Sequence, residues 1–281
     1  MTARVQRVRA ISGLTLTACV IVTVVAVASL LAPWLAPHDP AAQLDVVRLK
    51  NAAPSWSHPL GTDPYSRDLL SRALFGARTS LIIGLVGAGI AATIALAWGL
   101  LAGFVRRQIG DRMMSVLDAF RAVPRKVVLL AAVMVVPHAS AMMLAVLLGV
   151  TSWTALSQVL CVQVRSLRTR DFVTAARSIG ATPTRLMLRH IGPQLIGSMT
   201  AASALLLADM LAVEAGLSFL GLGVRAPHAS WGTMLQDGVP YLASAWWIAA
   251  TPCVLLVLTV LSIARIADAV HASSAAKAPA A

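Results

Sequence analysis

Residues 80–104 read SLIIGLVGAGIAATIALAWGLLAGF, a run of 25 residues that contains no charged side chain. A helix rises about 1.5 Å per residue, so about 20 such residues cross a hydrocarbon core of roughly 30 Å. Lipid offers no hydrogen-bond partner to an open strand edge, so a spanning segment of this kind must be helical. The run therefore predicts a transmembrane helix.

Five further apolar segments extend this pattern through a chain that is 58% hydrophobic and 12% charged, with a mean hydropathy of +0.79. They cover residues 11–32, 114–136, 141–160, 195–215 and 245–267. The segment 114–136 is the weakest, because its first half carries Asp118, Arg121, Arg125 and Lys126, which face lipid only at high cost. We expect an all-α integral membrane protein with about six transmembrane helices.

The distribution of basic residues predicts the orientation of these helices. Fourteen Lys and Arg residues fall at the two termini, after the second span and in residues 161–193, whereas six fall on the opposite side. Cytoplasmic segments carry the excess of Lys and Arg, so both termini should be cytoplasmic. The net charge of +12 then reflects topology and not nucleic-acid binding, because the basic residues lie between apolar spans.

The spans divide the chain into five parts. Residues 1–10 form a cytoplasmic amino terminus, 11–32 the first span, and 33–79 an extracytoplasmic segment with a short helix near 68–77. Residues 80–270 form a five-helix core that includes a cytoplasmic loop at 161–193, and the Ala- and Ser-rich residues 271–281 form a disordered tail. The three cysteines and six histidines are scattered without ligand spacing, so no metal site is predicted.

The loop at 161–193 contains the stretch RDFVTAARSIGATP, residues 170–183, which predicts two short helices. Asp171 can cap the first helix, and Phe172, Ala176 and Ile179 share one face of it. Gly180 can take the left-handed conformation that ends this helix, while Thr182 and Pro183 suit the start of the next. Gly192 and Pro193 should break the helix again before the next span. Such a loop is either a solvated connector or a docking surface for a partner.

Ala175, Ala176 and Gly180, followed by His190-Ile191-Gly192-Pro193, resemble the EAA loop of bacterial import permeases in the ATP-binding cassette superfamily. Three further stretches resemble the dipeptide/oligopeptide/nickel branch of that family: HPLGTD at 58–63 with RDLLSR at 67–72, SFLGLGV at 218–224, and SWG at 230–232. Their order is similar to that of the second, C-type permease of such systems. The resemblance runs from about residue 30 to about residue 236.

The resemblance has departures. Thr174 stands where the family has Glu, Ser66 where it has Gly, and Gly192 where it has Leu; the usual carboxyl-terminal Arg-Asp-x-Leu-Asp-Pro is also missing. The loss of a charge at Thr174 leaves open a poorly coupled paralogue.

Membership would imply that the chain is half of a translocation pathway for peptides, nickel or a related small solute in the bacterial inner membrane. Its partners would be membrane lipid, a second permease in a heterodimer, cytoplasmic ATPase subunits and an extracytoplasmic solute-binding protein. No Lys follows a Gly in this chain, so no P-loop is visible; the chain is not expected to be an enzyme or to hold a cofactor itself, and ATP and Mg²⁺ would bind to the partner ATPase.

The candidate site residues form three groups, taken from the resemblance and, for Glu214, from the cost of a carboxylate at membrane depth. The loop that couples to the ATPase would comprise Asp171, Phe172, Thr174, Ala175, Ala176, Arg177, Gly180, Pro183, His190 and Pro193. An outer gate, receptor-docking surface or solute path would comprise Glu214, Ser218, Phe219, Leu220, Gly221, Leu222, Gly223, Trp231 and Gly232, although a tight structural turn explains residues 218–224 equally well. The extracytoplasmic family motif comprises Gly61, Thr62, Asp63, Arg67 and Asp68.

Other readings remain open from the sequence. An ion-gradient-driven secondary transporter would use Asp118, Asp209 and Glu214 as coupling sites, but it does not explain the cytoplasmic loop. Asp209 and Glu214 could instead form ion pairs with Arg121 or Arg125. The GxxxG spacing of Gly99 and Gly103 could bring the second span close to a partner permease.

Overall fold

The computed structural model describes residues 2–135, 140–225 and 227–277, and helices make up the regular structure of these ranges. The α-helices are α1 (Thr2–Leu30), α2 (Ala32–Leu35), α3 (Leu69–Phe104), α4 (Arg107–Ala122), α5 (Arg125–Val135), α6 (Ala141–Leu167), α7 (Asp171–Ser178), α8 (Pro183–Arg185), α9 (Ile196–Phe219), α10 (Trp231–Gly238) and α11 (Trp247–Lys277). A π-helical segment, Leu186–Ile191, and a 3-10 segment, Gly192–Leu195, connect α8 to α9, and a second 3-10 segment, Val239–Tyr241, follows α10.

Five segments in the described ranges are long and apolar enough to cross a membrane: Gly13–Leu30, Leu69–Phe104, Ala141–Leu167, Pro183–Phe219 and Trp247–Ser273. The prediction of an all-α membrane protein is therefore confirmed. The fourth and last spans extend beyond their predicted ends, to Leu167 and Ser273, and larger differences occur at the second, third and fifth spans.

The second span is longer than predicted. Asp68 caps α3 by accepting a hydrogen bond from the Ser71 backbone N–H at 2.8 Å, and the helix then continues without interruption to Phe104. The short helix expected near residues 68–77 and the span expected at 80–104 are thus one helix of 36 residues, about 54 Å long. No proline lies between them to end the first part.

The long helix α3 packs along α6, and the two helices run in the same direction. A Cβ at Gly99 would lie 2.7 Å from the Leu160 Cβ, and one at Gly103 would lie 2.6 Å from the Val164 Cβ. The small residues therefore allow close contact within this chain, so the suggestion that they face a partner permease is corrected. We call the end of the bundle near Leu69 the network end and the end near Phe104 the loop end.

The third predicted span, residues 114–136, is divided between two helices. Val123 has an extended backbone because Pro124 follows it, so α4 ends there and α5 begins at Arg125. The 11 residues of α5 rise only about 16 Å, too little to cross a membrane alone. Because α3 and α6 are parallel, α4 and α5 must together return the chain from the loop end to the network end. The predicted crossing is a bent pair of helices and not one continuous span.

The fifth span begins before the predicted residue 195. Gly192 and Pro193 change the type of helix without breaking it, so the chain is helical from Pro183 to Phe219. The last helix, α11, runs from the network end, where Trp247 lies against Gly61, to the loop end, where His271 lines a cleft with Leu195. It continues to Lys277, beyond the start of the tail expected at residue 271, and residues 278–281 lie outside the described ranges.

The first helix completes the bundle. Val22 packs near Ile263, and Val25 packs at the network end near Leu69 and Trp231. Helix α1 therefore approaches the network end as the chain proceeds, and α11 leaves it. Both ends of the described chain consequently lie on the same side as α7.

Candidate functional site

The segment that enters α7 is tied to the end of α3. The Arg168 guanidinium donates hydrogen bonds from Nη1 to the carbonyl oxygens of Gly103, Phe104 and Val105, at 3.2, 2.7 and 2.8 Å. These carbonyls belong to the last turn of α3, where the backbone has no helical partner and the helix dipole favours a cation. Arg168 therefore links the entry of the loop to the end of the 36-residue helix.

Helix α7 is anchored by two side chains and presents two others to the outside. Val173 and Ala176 are buried in a cluster with Leu186 and other residues of the α8–α9 connection. Phe172 is 42% exposed and Ile179 is 87% exposed. The predicted face is therefore corrected: Ala176 packs inward, whereas Phe172 and Ile179 lie on the surface. Two apolar side chains are thus exposed at this part of the loop, beside the two that are buried.

The residues that cap α7 and α8 are those predicted from the sequence, except at the start of α7. Gly180 has a φ of +85° and ends α7 as predicted, because a residue with a Cβ is strained in that conformation. Thr182 accepts a hydrogen bond from the Arg185 backbone N–H at 3.4 Å, and Pro183 is the first residue of α8. Asp171 is not the cap: Arg170 occupies that position without a side-chain hydrogen bond, and Asp171 is the first helical residue.

The surface of the loop is polar and basic. Thr174, Ala175 and Arg177 are exposed, and the Thr174 hydroxyl donates to the Arg170 carbonyl at 3.4 Å. The exposed cations of this surface have no carboxylate within 4.0 Å among the described residues; they are Arg170, Arg177, Arg185 and Arg189. Beside them, the half-buried His190 lies 3.3 Å from the Arg185 carbonyl through Nδ1, and Pro193 is exposed.

The network end contains the opposite arrangement, in which arginines and aspartates neutralise one another. Arg67 contacts Asp63 at 2.6 Å and Asp237 at 2.9 Å; Arg72 contacts the same carboxylates at 3.3 and 2.9 Å. Asp63 and Arg72 are nearly fully buried. The four side chains join the segment before α3, the first turn of α3 and the end of α10 into one ionic network.

Asp63 and Arg67 were expected as family-motif residues, but Asp237 was not singled out by any sequence pattern. Asp63 also accepts hydrogen bonds from the backbone N–H groups of Tyr65 and Arg67, at 2.8 and 2.9 Å. Burial raises the pKa of the Asp237 carboxyl, while Arg72 and Arg67 oppose that shift. Asp237 is recognised only through its contacts, because it lies 165 residues or more from both arginines in the chain.

The other motif residues of this segment hold its backbone in place. Gly61 has a φ of +83°, and a Cβ there would lie 2.5 Å from the Ala52 carbonyl oxygen. Thr62 is fully buried, and its hydroxyl accepts from the Ala52 backbone N–H at 2.9 Å. Asp68 caps α3. These contacts give Gly61, Thr62 and Asp68 a structural role at the network end.

The segment after α9 makes the predicted turn. Helix α9 ends at Phe219, and Gly221 has a φ of +78°. The backbone of Gly223 lies so close to Ser218 that no Cβ fits there. Phe219 and Leu220 are exposed, whereas Ser218 is fully buried and Leu222 partly buried. The turn thus combines internal packing with a small exposed apolar surface.

Trp231 and Gly232 pack inside the chain. Trp231 is fully buried, and its Nε1–H donates to the Ala73 carbonyl at 3.2 Å. A Cβ at Gly232 would lie 2.5 Å from the Ala215 carbonyl oxygen. Ser230 begins α10 with a reciprocal capping box to Thr233. These two residues therefore position α10 against α3 and α9.

The two acidic residues of α9 have different environments. Asp209 forms an ion pair with Arg125 at 2.6 Å, which is the alternative to a coupling site that the sequence left open. Glu214 is fully buried and accepts hydrogen bonds from the hydroxyls of Ser80 at 2.9 Å and Ser218 at 2.7 Å. No Arg or Lys lies within 4.0 Å of Glu214 among the described residues, so the ion-pair reading is corrected for Glu214.

One cluster was missed from the sequence. His38, His58 and Asp68 come from three separate stretches, and their ligand-type atoms all lie within 4.8 Å of one another. The sequence predicted scattered histidines because their spacing, 20 and then 10 residues, matches no helix or turn motif. Only the folding of residues 33–68 over the start of α3 brings them together.

Comparison with known proteins agrees with these features. A family model described as "Binding-protein-dependent transport system inner membrane component" matches residues 95–274. The di/tripeptide transport system permease protein DppC of Pseudomonas aeruginosa is 35% identical over 246 residues, which are 85% of this chain and 80% of that protein. The oligopeptide transport system permease protein OppC of Bacillus subtilis is 31% identical over 251 residues, 89% of this chain and 81% of that protein.

A solved structure shares the fold. A chain of the MetNI methionine ABC transporter, in an inward facing conformation, superposes with a TM-score of 0.57 and 19% identity, and the match covers 73% of this chain and 96% of that one. The family model and the two relatives confirm the resemblance to permeases that the sequence motifs indicated. This chain belongs to the family of inner membrane components of binding-protein-dependent transport systems.

Proposed function

We propose that this permease is the second membrane subunit of a peptide importer and that α7 transmits the movement of a separate ATPase to the bundle. The carrying observation for the coupling role is a contrast in burial: Val173 and Ala176 of α7 are buried, while Phe172 on α7 and Ile179 just after it are exposed. The peptide substrate is supported by the names of the relatives, which are di/tripeptide and oligopeptide transport permeases. Nickel remains an alternative cargo of the wider family.

The proposed lever consists of α7 and the residues that fix it to the bundle. Arg168 fixes the entry of the loop to the last turn of α3, and Val173 fixes α7 to the start of the fifth span. A push on Phe172 or Ile179 would thus move two spanning helices together. The free energy for such a movement comes from contacts that differ between the two states of the ATPase.

The topology supports a cytoplasmic position for the loop. Both ends of the described chain lie at the loop end, which also holds the exposed arginines, in accord with the excess of cytoplasmic Lys and Arg. The network end would then face a solute-binding protein. ATP and Mg²⁺ would be bound by the partner ATPase, and a second permease would complete the solute path.

The experiment is to purify the tagged permease gently and to identify co-purifying proteins by mass spectrometry, with parental protein compared with two variants. Ile179→Asp places a charge on the exposed end of α7, and Val47→Asp places the same charge on an exposed Val in the segment before α3. We expect an ATPase, a second permease and a solute-binding protein with the parent. The Ile179→Asp variant should no longer co-purify with the ATPase but should keep the other two proteins. The Val47→Asp variant should still co-purify with the ATPase.

Either of two results would contradict the proposal. Recovery of the parental chain without any ATPase under mild conditions would favour transport driven by an ion gradient. Equal ATPase recovery for parent and Ile179→Asp would show that α7 is not the contact. Added dipeptides should also stimulate ATP hydrolysis by the purified complex, and stimulation by Ni²⁺ instead would replace peptide by nickel as the cargo.

A further inference from the structure

We propose that His38, His58 and Asp68 form a binding site for one divalent transition-metal ion, with zinc as the best match to the ligand set. Two imidazoles and one carboxylate are ligands that zinc accepts. They lie at the network end, where the segment after α2, the turn at His58 and the first residue before α3 meet. This inference does not depend on which solute the permease carries.

The distances suit a common ligand sphere. His58 Nδ1 lies 3.0 Å from Asp68 Oδ1, and His38 Nδ1 lies 3.9 Å from the same oxygen. Ligand atoms about 2.0–2.1 Å from a tetrahedral zinc ion are about 3.3 Å apart, so the two observed distances bracket the required one. All three ligand atoms lie within 4.8 Å of one another, so the His38 ring would have to move closer to complete the ligand sphere.

The carboxylate is held in the orientation that such a site requires. Asp68 Oδ2 accepts hydrogen bonds from the backbone N–H and the hydroxyl of Ser71, both at 2.8 Å. Its other oxygen, Oδ1, faces both imidazoles. The Ser71 hydroxyl also accepts from the His38 backbone N–H at 3.1 Å, which links a second ligand to the same support. Partners of this kind orient metal ligands and strengthen binding.

One ligand atom lacks a partner. His38 Nδ1 is buried, yet it has no hydrogen bond within the described structure. A buried polar atom left in this state carries a desolvation cost that a bond to a metal would remove. The His38 ring lies 4.9 Å from the His58 ring between centroids, so the two imidazoles already share one small space.

The cluster lies close to the protein surface on the side of His38. The His38 side chain is 31% exposed, the His58 side chain 6% and the Asp68 side chain 0%. The metal would thus have three protein ligands and a water molecule on the side of His38, a coordination that zinc adopts. By joining residues 38, 58 and 68, the metal would fasten the long segment between α2 and α3 to the bundle.

The test uses the full-length chain in detergent, together with the subunits that co-purify with it. The protein is stripped with a chelator, incubated with ZnCl₂, washed, and assayed for bound zinc by elemental mass spectrometry; CoCl₂ replaces zinc for visible absorption spectra. We expect about one zinc per chain and the intense bands of tetrahedral Co²⁺. Zinc should also raise the Tm of the stripped parental protein.

The variants are His38→Gln and Asp68→Asn, with His271→Gln as the matched control at the loop end. His38→Gln removes a side chain that makes no hydrogen bond here, and Asn at 68 can still cap α3, so both variants should fold. Each should weaken zinc binding at least about 10- to 100-fold, the loss typical of even a supporting partner. His271→Gln should bind zinc like the parent.

Two outcomes would overturn the site. Stripped parental protein that takes up no zinc would show that the cluster is only a hydrogen-bonded His–Asp pair with a neighbouring ring. Zinc uptake that is equal in the parent and in folded His38→Gln would assign the metal to another part of the chain. A variant that fails to elute as the parent does is replaced by His58→Gln, judged by the same two readouts.

Discussion

The arginines of the ionic network and the exposed arginines of residues 170–189 have opposite surroundings. At the network end, Arg67 and Arg72 are almost buried and share Asp63 and Asp237. At the loop end, Arg177 and Arg185 are exposed, and no carboxylate of the described chain lies within 4.0 Å of either. The first arrangement stabilises the chain itself, whereas the second leaves charge available to another molecule.

The difference shows that the two ends are held in place by different kinds of contact. The network end is held by charge pairs that would be very costly to separate in a buried setting. The loop end is held by the contact of α3 with α6, by Arg168 on the last carbonyls of α3, and by the buried Val173. The docking role proposed for α7 would require this combination of a buried base and an exposed, unpaired surface.

The largest effect should follow from breaking the ionic network. Asp63→Asn leaves Arg67 and Arg72 with only Asp237, so we expect a loss of roughly 3–5 kcal/mol in the free energy of unfolding. Thermal unfolding of the purified protein in detergent measures this loss. The control is Asp39→Asn, an exposed Asp outside the network. An unchanged Tm for Asp63→Asn would mean that the network contributes no stability.

The next effect tests the base of the loop end. Gly103→Ala introduces a Cβ at 2.6 Å from the Val164 Cβ and 2.9 Å from the Cys161 carbonyl oxygen, so α3 and α6 must separate. Overpacking of this kind costs about 1–3 kcal/mol. Gly89→Ala is the matched control, because its Cβ meets nothing within 4 Å. The control should be neutral or stabilising by up to about 1 kcal/mol through helix propensity. Equal unfolding curves for the two variants would contradict the close contact of α3 with α6 at Gly103.

A smaller effect should come from releasing the loop from α3. Arg168→Gln removes the charged donor to three carbonyls, and for a partly exposed side chain we expect a loss of about 1–2 kcal/mol. Hydrogen exchange should become faster in the last turn of α3 and in α7, and remain unchanged at the network end. The control is Arg170→Gln, at an exposed residue, which should change neither the unfolding free energy nor the hydrogen exchange of α3 and α7. Faster exchange at both ends would indicate general destabilisation in place of a local anchor.

The smallest effect on stability should come from restoring the family residue at position 174. Thr174 is exposed and makes only one long hydrogen bond, so Thr174→Glu should change the unfolding free energy by less than about 0.5 kcal/mol. Coupled uptake should nevertheless rise if the missing charge limits coupling. Transport by reconstituted complexes measures this, with Ser178→Glu as a control on the same helix. If uptake by Thr174→Glu does not exceed uptake by the Ser178→Glu control, Thr174 does not limit activity.

The sequence was informative wherever local chemistry determines the structure. The uncharged run at 80–104 required a spanning helix, Gly180 required a left-handed turn, and the motif residues led to the correct family. It was less informative where a boundary depends on context. Nothing in residues 68–80 says that an interfacial helix and a span are one, and the charges of 114–136 warned of an irregular crossing without indicating the bend at Pro124.

By itself, the sequence determined that this is a helical membrane protein of a known transport family, because hydropathy and short motifs are read along the chain. Only the tertiary structure decided which charges find partners. Asp237 meets Arg67 and Arg72 across 165 residues or more, and His38 meets His58 and Asp68 through the folding of an irregular segment. Such contacts depend on the packing of distant helices, and no local pattern of residue types records which distant side chains will meet.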